Sequence, residues 1–336
     1  MSRDIMKPSP LSRIEVLARS PGLVAEDVLF AVTVPTFRRP DHLLRTLGSL
    51  AGQNTTRRFA VVVMENDAQA RAGANAAAAL LERGEIDGLL VLAPERGNCS
   101  AYNAGWTAAL EAFPRLSAIL VIDDDEIADP DWIEAMVAAF ENGGADIVGG
   151  PQWPVCEGAE AARWARHPVF APPYDRSGPV PILYSSGNLL LSRRVLDAMP
   201  RPFLDPAFNF LGGGDSDFLQ RCRDKGFSFA WCAEAKAFET VPARRLQPDW
   251  IRARSLRNGV ISARIDMKKG QGQPLGRLRA LARSAGLLAR APFRAMARGL
   301  GARSSDAALH ELRFGLGRML AHFGYQNEQY RNADRN

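Results

Sequence analysis

Residues 118–133 read AILVIDDDEIADPDWI: an apolar run from Ala118 to Ile122, three carboxylates at Asp123, Asp124 and Asp125, and the start of a helix. The apolar run is short and rich in β-branched residues, which predicts a strand. Beyond it, Asp129 is suited to cap a helix with Pro130 in its first turn, running from about Asp131 to Glu141. Working outward, the same alternation recurs upstream. Strands are expected at Leu29 to Val34, Phe59 to Met64 and Gly88 to Leu92, with helices at Asp41 to Leu50, Ala68 to Arg83 and Ser100 to Phe113 between them. Short strands alternating with longer helical stretches are the pattern of βαβ units, so the fold class is α/β, with a Rossmann-like, mostly parallel central sheet and flanking helices.

After Gly150 the pattern loosens. Proline-rich loops fill 151–181, a strand is expected near Leu189 to Leu191, and Gly212, Gly213 and Gly214 precede Asp215, which can cap a helix from Ser216 to Lys225. From Asp249, Trp250, Ile251, Leu256, Val260 and Ile261 have helical spacing, and a basic stretch follows with Leu278, Leu281, Leu287, Leu288, Phe293 and Met296 among its arginines. These features divide the chain into an N-terminal extension (1–27), a catalytic α/β domain (28–248) and a basic helical C-terminal region (249–336).

With 336 residues, 46% hydrophobic and 24% charged, the chain has the composition of an ordinary globular protein, which excludes disordered and fibrous classes. No apolar run approaches the roughly 18 residues of a membrane span, and the first residues lack the apolar core of a secretory signal, so a cytoplasmic location is expected. Cys99, Cys156, Cys222 and Cys232 lack zinc spacing and read as reduced, mostly buried thiols. The net charge of +5 is modest but uneven: no Asp or Glu lies between Asp266 and Asp306, where Lys268, Lys269 and seven arginines do. That stretch suits a peripheral helix on an anionic membrane surface, or a helical extension packed on the domain.

In open α/β sheets ligands gather beyond the carboxyl ends of the strands, so the residues just past each strand are the candidates for chemistry. They are Pro35, Thr36, Arg38 and Arg39; Glu65 and Asp67; Glu95 and Arg96; and the acidic triplet. No glycine-rich phosphate motif follows a strand. Three adjacent carboxylates repel unless cations balance them, and oxygen-rich sites suit Mg²⁺ or Mn²⁺ bridging a diphosphate, although a solvated acidic turn would look the same. A two-residue side-chain period would point Asp123 and Asp125 one way and Asp124 the other, which favours Asp123 and Asp125 for ribose and metal. A second acidic pair, Asp215 and Asp217, follows the three glycines; Asp215 is a candidate general base as well as a helix cap. Glu65 suits a base or ribose contact, and the cluster Arg244, Arg245, Arg252, Arg254 and Arg257 suits a diphosphate.

Taken in order, VPTFRRP, VVVMEND, ERGNCSAYNAG, LVIDDDEIADPDWI, SSGNLLLSRRVL, GGGDSDFLQRCRDKGF and AFETVPARRLQPDW leading to RSLRNG resemble the inverting glycosyltransferases of family 2, over roughly residues 30–259. Within them the resemblance is to bacterial exopolysaccharide sugar transferases of the succinoglycan type. It implies a GT-A fold, a nucleotide pocket lined by Thr36, Arg38 and Glu65, a DxD motif at Asp123 and Asp125, and Asp215 as base. It also implies that Asn188, Gly214 and Asp217 border the donor sugar or acceptor, that Arg245 contacts the diphosphate, and that the donor is a UDP-sugar. Gly214 stands where many relatives have Glu, Tyr102 where many have Arg, and Glu239 where several have a metal-binding His; Glu239 still offers an oxygen ligand. The implied reaction moves a hexose to a saccharide or lipid-linked acceptor by metal-assisted single displacement. Two other readings stand beside it: a haloacid-dehalogenase-like phosphohydrolase, which also places DxD after a strand, and a non-enzymatic basic adaptor for membrane or nucleic acid. Absent nucleic-acid motifs argue against the latter.

Overall fold

Side chains along the central strands alternate between two apolar layers. Ile119 and Val121 belong to one and Ala118, Leu120 and Ile122 to the other; Ala60, Val62 and Met64 oppose Val61 and Val63 in the same way. Helices cover both faces, which is why these strands are apolar throughout rather than alternating with polar residues. The computed structural model describes residues 14–156, 164, 167–299 and 305–326.

In chain order the strands are β1 (Glu15–Arg19), β2 (Phe30–Thr36), β3 (Phe59–Glu65), β4 (Gly88–Leu92), β5 (Ala118–Ile122), β6 (Glu126–Ala128), β7 (Ile147–Gly149), β8 (Gln152–Cys156), β9 (Gly178–Val180), β10 (Asn188–Ser192), β11 (Phe229–Trp231) and β12 (Ala237–Val241). The helices are α1 (Pro40–Ala51), α2 (Ala72–Glu82), α3 (Asn98–Ala112), α4 (Trp132–Gly143), α5 (Arg193–Ala198), α6 (Gly214–Asp224), α7 (Pro248–Lys269), α8 (Gly276–Gly299) and α9 (Ser305–His322).

The large sheet has the order β1-β4-β3-β2-β5-β10-β7-β11-β9. Strands β4, β3, β2 and β5 are parallel, as expected. Beyond β5 the sheet is mixed: β10 runs antiparallel to β5 and β7, while β7 and β11 are parallel. Part of the expected N-terminal extension is the sheet's edge, since β1 pairs antiparallel with β4. A second sheet, β6-β12-β8, rises from the turn after the acidic triplet and sets Glu239 opposite Glu126.

Two expected caps are displaced. Asp131, not Asp129, precedes α4; the Asp129 carboxylate accepts the Asp131 N–H and its carbonyl the Trp132 N–H, so Asp129 and Pro130 form the turn before the helix. Helix α6 starts at Gly214, so Asp215 lies inside its first turn rather than capping it, and Gly213, at φ 88°, makes the left-handed bend into the helix. Cys99, Cys222 and Cys232 are buried free thiols and Cys156 is half-buried.

The last three helices stand where the basic C-terminal region was expected, but α7 is also a wall of the functional cleft. It crosses α9 closely: a Cβ on Gly259 would meet the Phe314 carbonyl at 2.0 Å, and one on Gly317 the Leu256 carbonyl at 2.0 Å. Lys268 at the end of α7 binds Asp205 and Asp217 at 2.6 and 2.9 Å, which ties this helix to the α/β layers.

Candidate active site

Because β2, β3, β4 and β5 are parallel, their carboxyl ends share one edge, and that edge opens into a cleft of about 2540 Å³ lined by Pro35, Thr36, Arg38, Arg39, Arg96, all three residues of the triplet, Asp215, Glu239, Arg244, Arg245 and Arg254. The volume exceeds that of a typical single-ligand pocket.

The triplet does not continue the strand. It turns, and the Glu126 N–H returns to the Asp123 carbonyl. The two-residue period therefore lapses at Asp124, and a single guanidinium, Arg39, reaches both Asp124 (3.2 Å) and Asp125 (2.7 Å). Thr36 donates to the other Asp124 oxygen at 2.9 Å, and Thr46 holds the turn by donating to the carbonyls of Asp124 and Glu126. Asp123 faces elsewhere: it accepts the hydroxyl of Tyr102. Glu126, fully buried under the turn, accepts the Asp123 N–H at 3.0 Å. The second sheet brings in Glu239, which accepts from Arg245 at 2.9 Å; the same Arg245 lies 4.0 Å from Asp125.

Burial first pushes the carboxyl groups of Asp123, Asp124 and Glu239 above the usual range. The charge of Asp125 adds to all three, while Arg39 pulls back on Asp124 and Arg245 on Glu239. Such crowding is the setting in which a cation is favoured. Among the described residues no three acidic, His or Cys side chains form a ready-made metal cage. The donor chemistry nevertheless fits Mg²⁺ or Mn²⁺, which use one or two carboxylates and complete their shell with water and phosphate oxygens; Asp125 and Glu239 are the two carboxylates at hand.

Asp215 lines the same cleft. It accepts the N–H of Ser216 at 2.7 Å, and burial raises its pKa against this hydrogen bond and the nearby charges of Arg254 and Arg257. Ser186 and Tyr102 line the cleft as well, and the Tyr102 hydroxyl donates to Asp123. A side chain at Gly187 would crowd the triplet, since a Cβ there would lie 3.1 Å from Asp123 and 2.3 Å from Gln152.

Four expected site residues stand differently. Strand β3 runs through Glu65, leaving that carboxylate fully buried, where it accepts the N–H groups of Asp67 and Ala74, both at 2.8 Å; it caps α2 from below instead of lining the cleft. Asn188 lines the cleft, but its amide is spent on structure, accepting from the Trp132 indole at 2.8 Å and donating to the carbonyls of Pro151 and Ala235. Gly214 faces the core, where a Cβ would meet the Cys99 sulfur at 2.3 Å, so the Glu of many relatives has no space here. Asp217 turns from the cleft and pairs with Arg221 and Lys268. Arg38, in the left-handed region at φ 58°, pairs with Asp67 and stacks on Phe37 at the cleft mouth, and Arg96 lies over the same ring at 5.0 Å.

Sequence reading placed Arg39 among the strand-end residues without a partner, and passed over the hydrogen bond of Tyr102. Arg39 was signalled only by its place beside Arg38 at a strand end; that β2 neighbours β5, which makes it the partner of the triplet, is a fact of topology.

Comparison with known proteins agrees with this geometry. The model of the family "Glycosyl transferase family 2" matches residues 31–198, half of the chain. The chain is 30% identical over 250 residues to succinoglycan biosynthesis protein ExoM of Rhizobium meliloti (strain 1021), covering 72% of this chain and 76% of that protein. Among solved structures it is similar to the mannosyltransferase PcManGT of Pyrobaculum calidifontis in complex with GDP-Man and Mn²⁺ (TM-score 0.56, 16% identity, 93% of this chain and 91% of that one). It is also similar to S. aureus TarS 1–349 in complex with UDP-GlcNAc (TM-score 0.50, 13% identity, 91% and 98%). The phosphohydrolase and adaptor alternatives give way to these matches. Its sheet and flanking helices are a GT-A fold, and the chain belongs to glycosyl transferase family 2.

Proposed function

We propose that this glycosyltransferase is an inverting enzyme that moves a hexose from a UDP-sugar to a saccharide or lipid-linked acceptor in surface polysaccharide synthesis, working on the inner face of the cytoplasmic membrane. The observation that carries the reading is one cleft lined by Asp215, a carboxylate whose pKa burial raises, together with the acidic triplet and a set of arginines. The polysaccharide setting is supported by the relationship to ExoM, and a nucleotide-sugar donor by the GDP-Man and UDP-GlcNAc named for PcManGT and TarS.

In the proposed reaction Asp215 accepts the proton of an acceptor hydroxyl as that oxygen attacks the anomeric carbon. The bond from that carbon to the diphosphate breaks on the opposite face, so configuration inverts. The negative charge left on the diphosphate meets the guanidiniums of Arg39, Arg244, Arg245 and Arg254 along the cleft wall. In this reading Asp123 takes the ribose, and Asp125 with Glu239 the cation. Mg²⁺ or Mn²⁺ bound there would neutralise diphosphate charge as a Lewis acid.

Replacing Asp215 by Asn keeps the shape of the side chain and removes the base. Transfer from the donor should fall by about a thousandfold, at the scale of a general base, while donor affinity by calorimetry holds. Near-normal turnover in the variant would sink the assignment. A thermal-shift screen of UDP- and GDP-sugars with Mn²⁺ identifies the donor, and stabilisation by GDP-sugars alone would overturn the UDP reading.

A further inference from the structure

Helix α8 packs on α7 and α9 through its small side chains. Ala280, Ser284 and Ala291 are buried, and Ser284 bonds the Ala280 carbonyl and the His322 ring. The opposite side carries Leu278, Ala282, Ala285, Ala289, Phe293 and Met296, at spacings of four, three, four, four and three residues. At 3.6 residues per turn these six fall within an arc of about 80° and extend for about 27 Å along the axis. The large members project into solvent: Leu278 is 58%, Phe293 70% and Met296 62% exposed. Arg279, Arg283, Arg290 and Arg294 run along one margin of this stripe.

A long apolar stripe open to solvent calls for a cover, and the charges decide which one. Residues 267–305 contain no acid. Lys268 and Lys269 are taken up by Asp205, Asp217 and Asp224, Arg283 by Asp266, and Arg294 by Glu311. Among the described residues, Arg277, Arg279 and Arg290 form no ion pair. An antiparallel second copy would set arginine rows against each other and a parallel one would leave them unpaired, whereas an anionic surface with an apolar interior satisfies stripe and margin together. Among the described residues no helix is long and apolar enough to cross a membrane, so the contact would lie in the interface plane.

The same helix borders the active cleft, because Arg283 lines it together with Asp266 and Phe314. We infer that α8 docks the enzyme on an anionic lipid bilayer through Leu278, Phe293 and Met296, with the arginines at the headgroups, so that the acceptor side of the cleft opens onto the membrane surface. Delivery of a lipid-linked acceptor rests on the function proposed above; the docking itself does not.

Flotation of the full chain with vesicles of phosphatidylcholine, with and without phosphatidylglycerol, tests it. Wild type should float only with the anionic vesicles, and less so as salt rises. A triple variant, Leu278→Gln, Phe293→Gln and Met296→Gln, should lose about tenfold or more of that partition through the lost apolar contact. It should retain its melting temperature and its transfer to a soluble acceptor, since all three side chains are exposed. Arg279→Gln with Arg290→Gln should flatten the salt dependence. A wild type that stays off anionic vesicles at low salt, or a triple variant that floats as well as wild type, overturns docking. So does a dimer in sedimentation equilibrium that the triple variant dissolves, which would make a second copy the cover. Flotation is read without turnover, so failure of the transferase reading would appear separately, as absent transfer by a chain that still floats.

Discussion

Replacing Arg39 by Ala should move the affinities for cation and donor in opposite directions. The Arg39 guanidinium sits 2.7 Å from Asp125 and 3.2 Å from Asp124, and Arg245 approaches Asp125 at 4.0 Å. The proposed metal carboxylate is therefore neutralised by the protein's own guanidinium, and a cation must displace that contact. With charge centres about 4 Å apart and an effective dielectric of about 20, the gross attraction is about 4 kcal/mol. A third of the Arg39 side chain is exposed, and screening leaves about 1–2 kcal/mol as the cost of displacement. Removing it should tighten Mn²⁺ binding without donor by about tenfold, at 1.4 kcal/mol per factor of ten. The lost guanidinium should weaken donor binding in the presence of Mn²⁺ by a similar factor, because the displaced arginine is the one freed for diphosphate. The turn should hold, since Thr36 and Thr46 keep their bonds to Asp124 and to its carbonyl. Titration calorimetry of Mn²⁺ alone, and of donor with Mn²⁺, reads both. Unchanged or weaker Mn²⁺ binding in the donor-free variant would refute the competition.

Tyr102→Phe removes the hydroxyl that Asp123 accepts, and a hydrogen bond to a charged group of this kind is worth about 1.5–3 kcal/mol. Donor KM should rise by about tenfold or more with the fold intact; an unchanged KM would remove Asp123 from the donor site. Burial raises the pKa of Asp215, and a base works only when deprotonated, so turnover should be full above that pKa and fall as pH drops through it, at a pH higher than an ordinary carboxylate gives. A rate flat down to about pH 4.5 would contradict this. Asp217→Ala should cost about 1–3 kcal/mol of stability, since Arg221 and Lys268 lose a buried partner, and should lower the melting temperature by several degrees while kcat stays near wild type. A collapse of kcat at unchanged melting temperature would return Asp217 to the cleft.

Local chemistry by itself determined much of this protein. Apolar runs at 59–64, 88–92 and 118–122 became strands within a residue of their expected limits, because a strand buried on both faces needs only a short apolar run bounded by turns. Parallel strands share one carboxyl edge, which made the triplet, Thr36 and Arg96 legible as neighbours before any coordinates, whereas Asp215 joined them only through the family resemblance. What sequence left undecided is direction. Glu65 and Asp217 are acids of the expected kind in the expected neighbourhood, yet each turns away, one to the N-terminal donors of α2 and the other to Lys268, 51 residues on. Arg39 is the reverse case: its partner is set by the pairing of β2 with β5, a contact across more than 80 residues that no local pattern encodes. Glu239 reaches the cleft only because β12 pairs with β6 in a second, small sheet. Residue type and spacing fix which groups stand at the strand ends; long-range pairing, which depends on the whole chain closing on itself, decided which of them face one another.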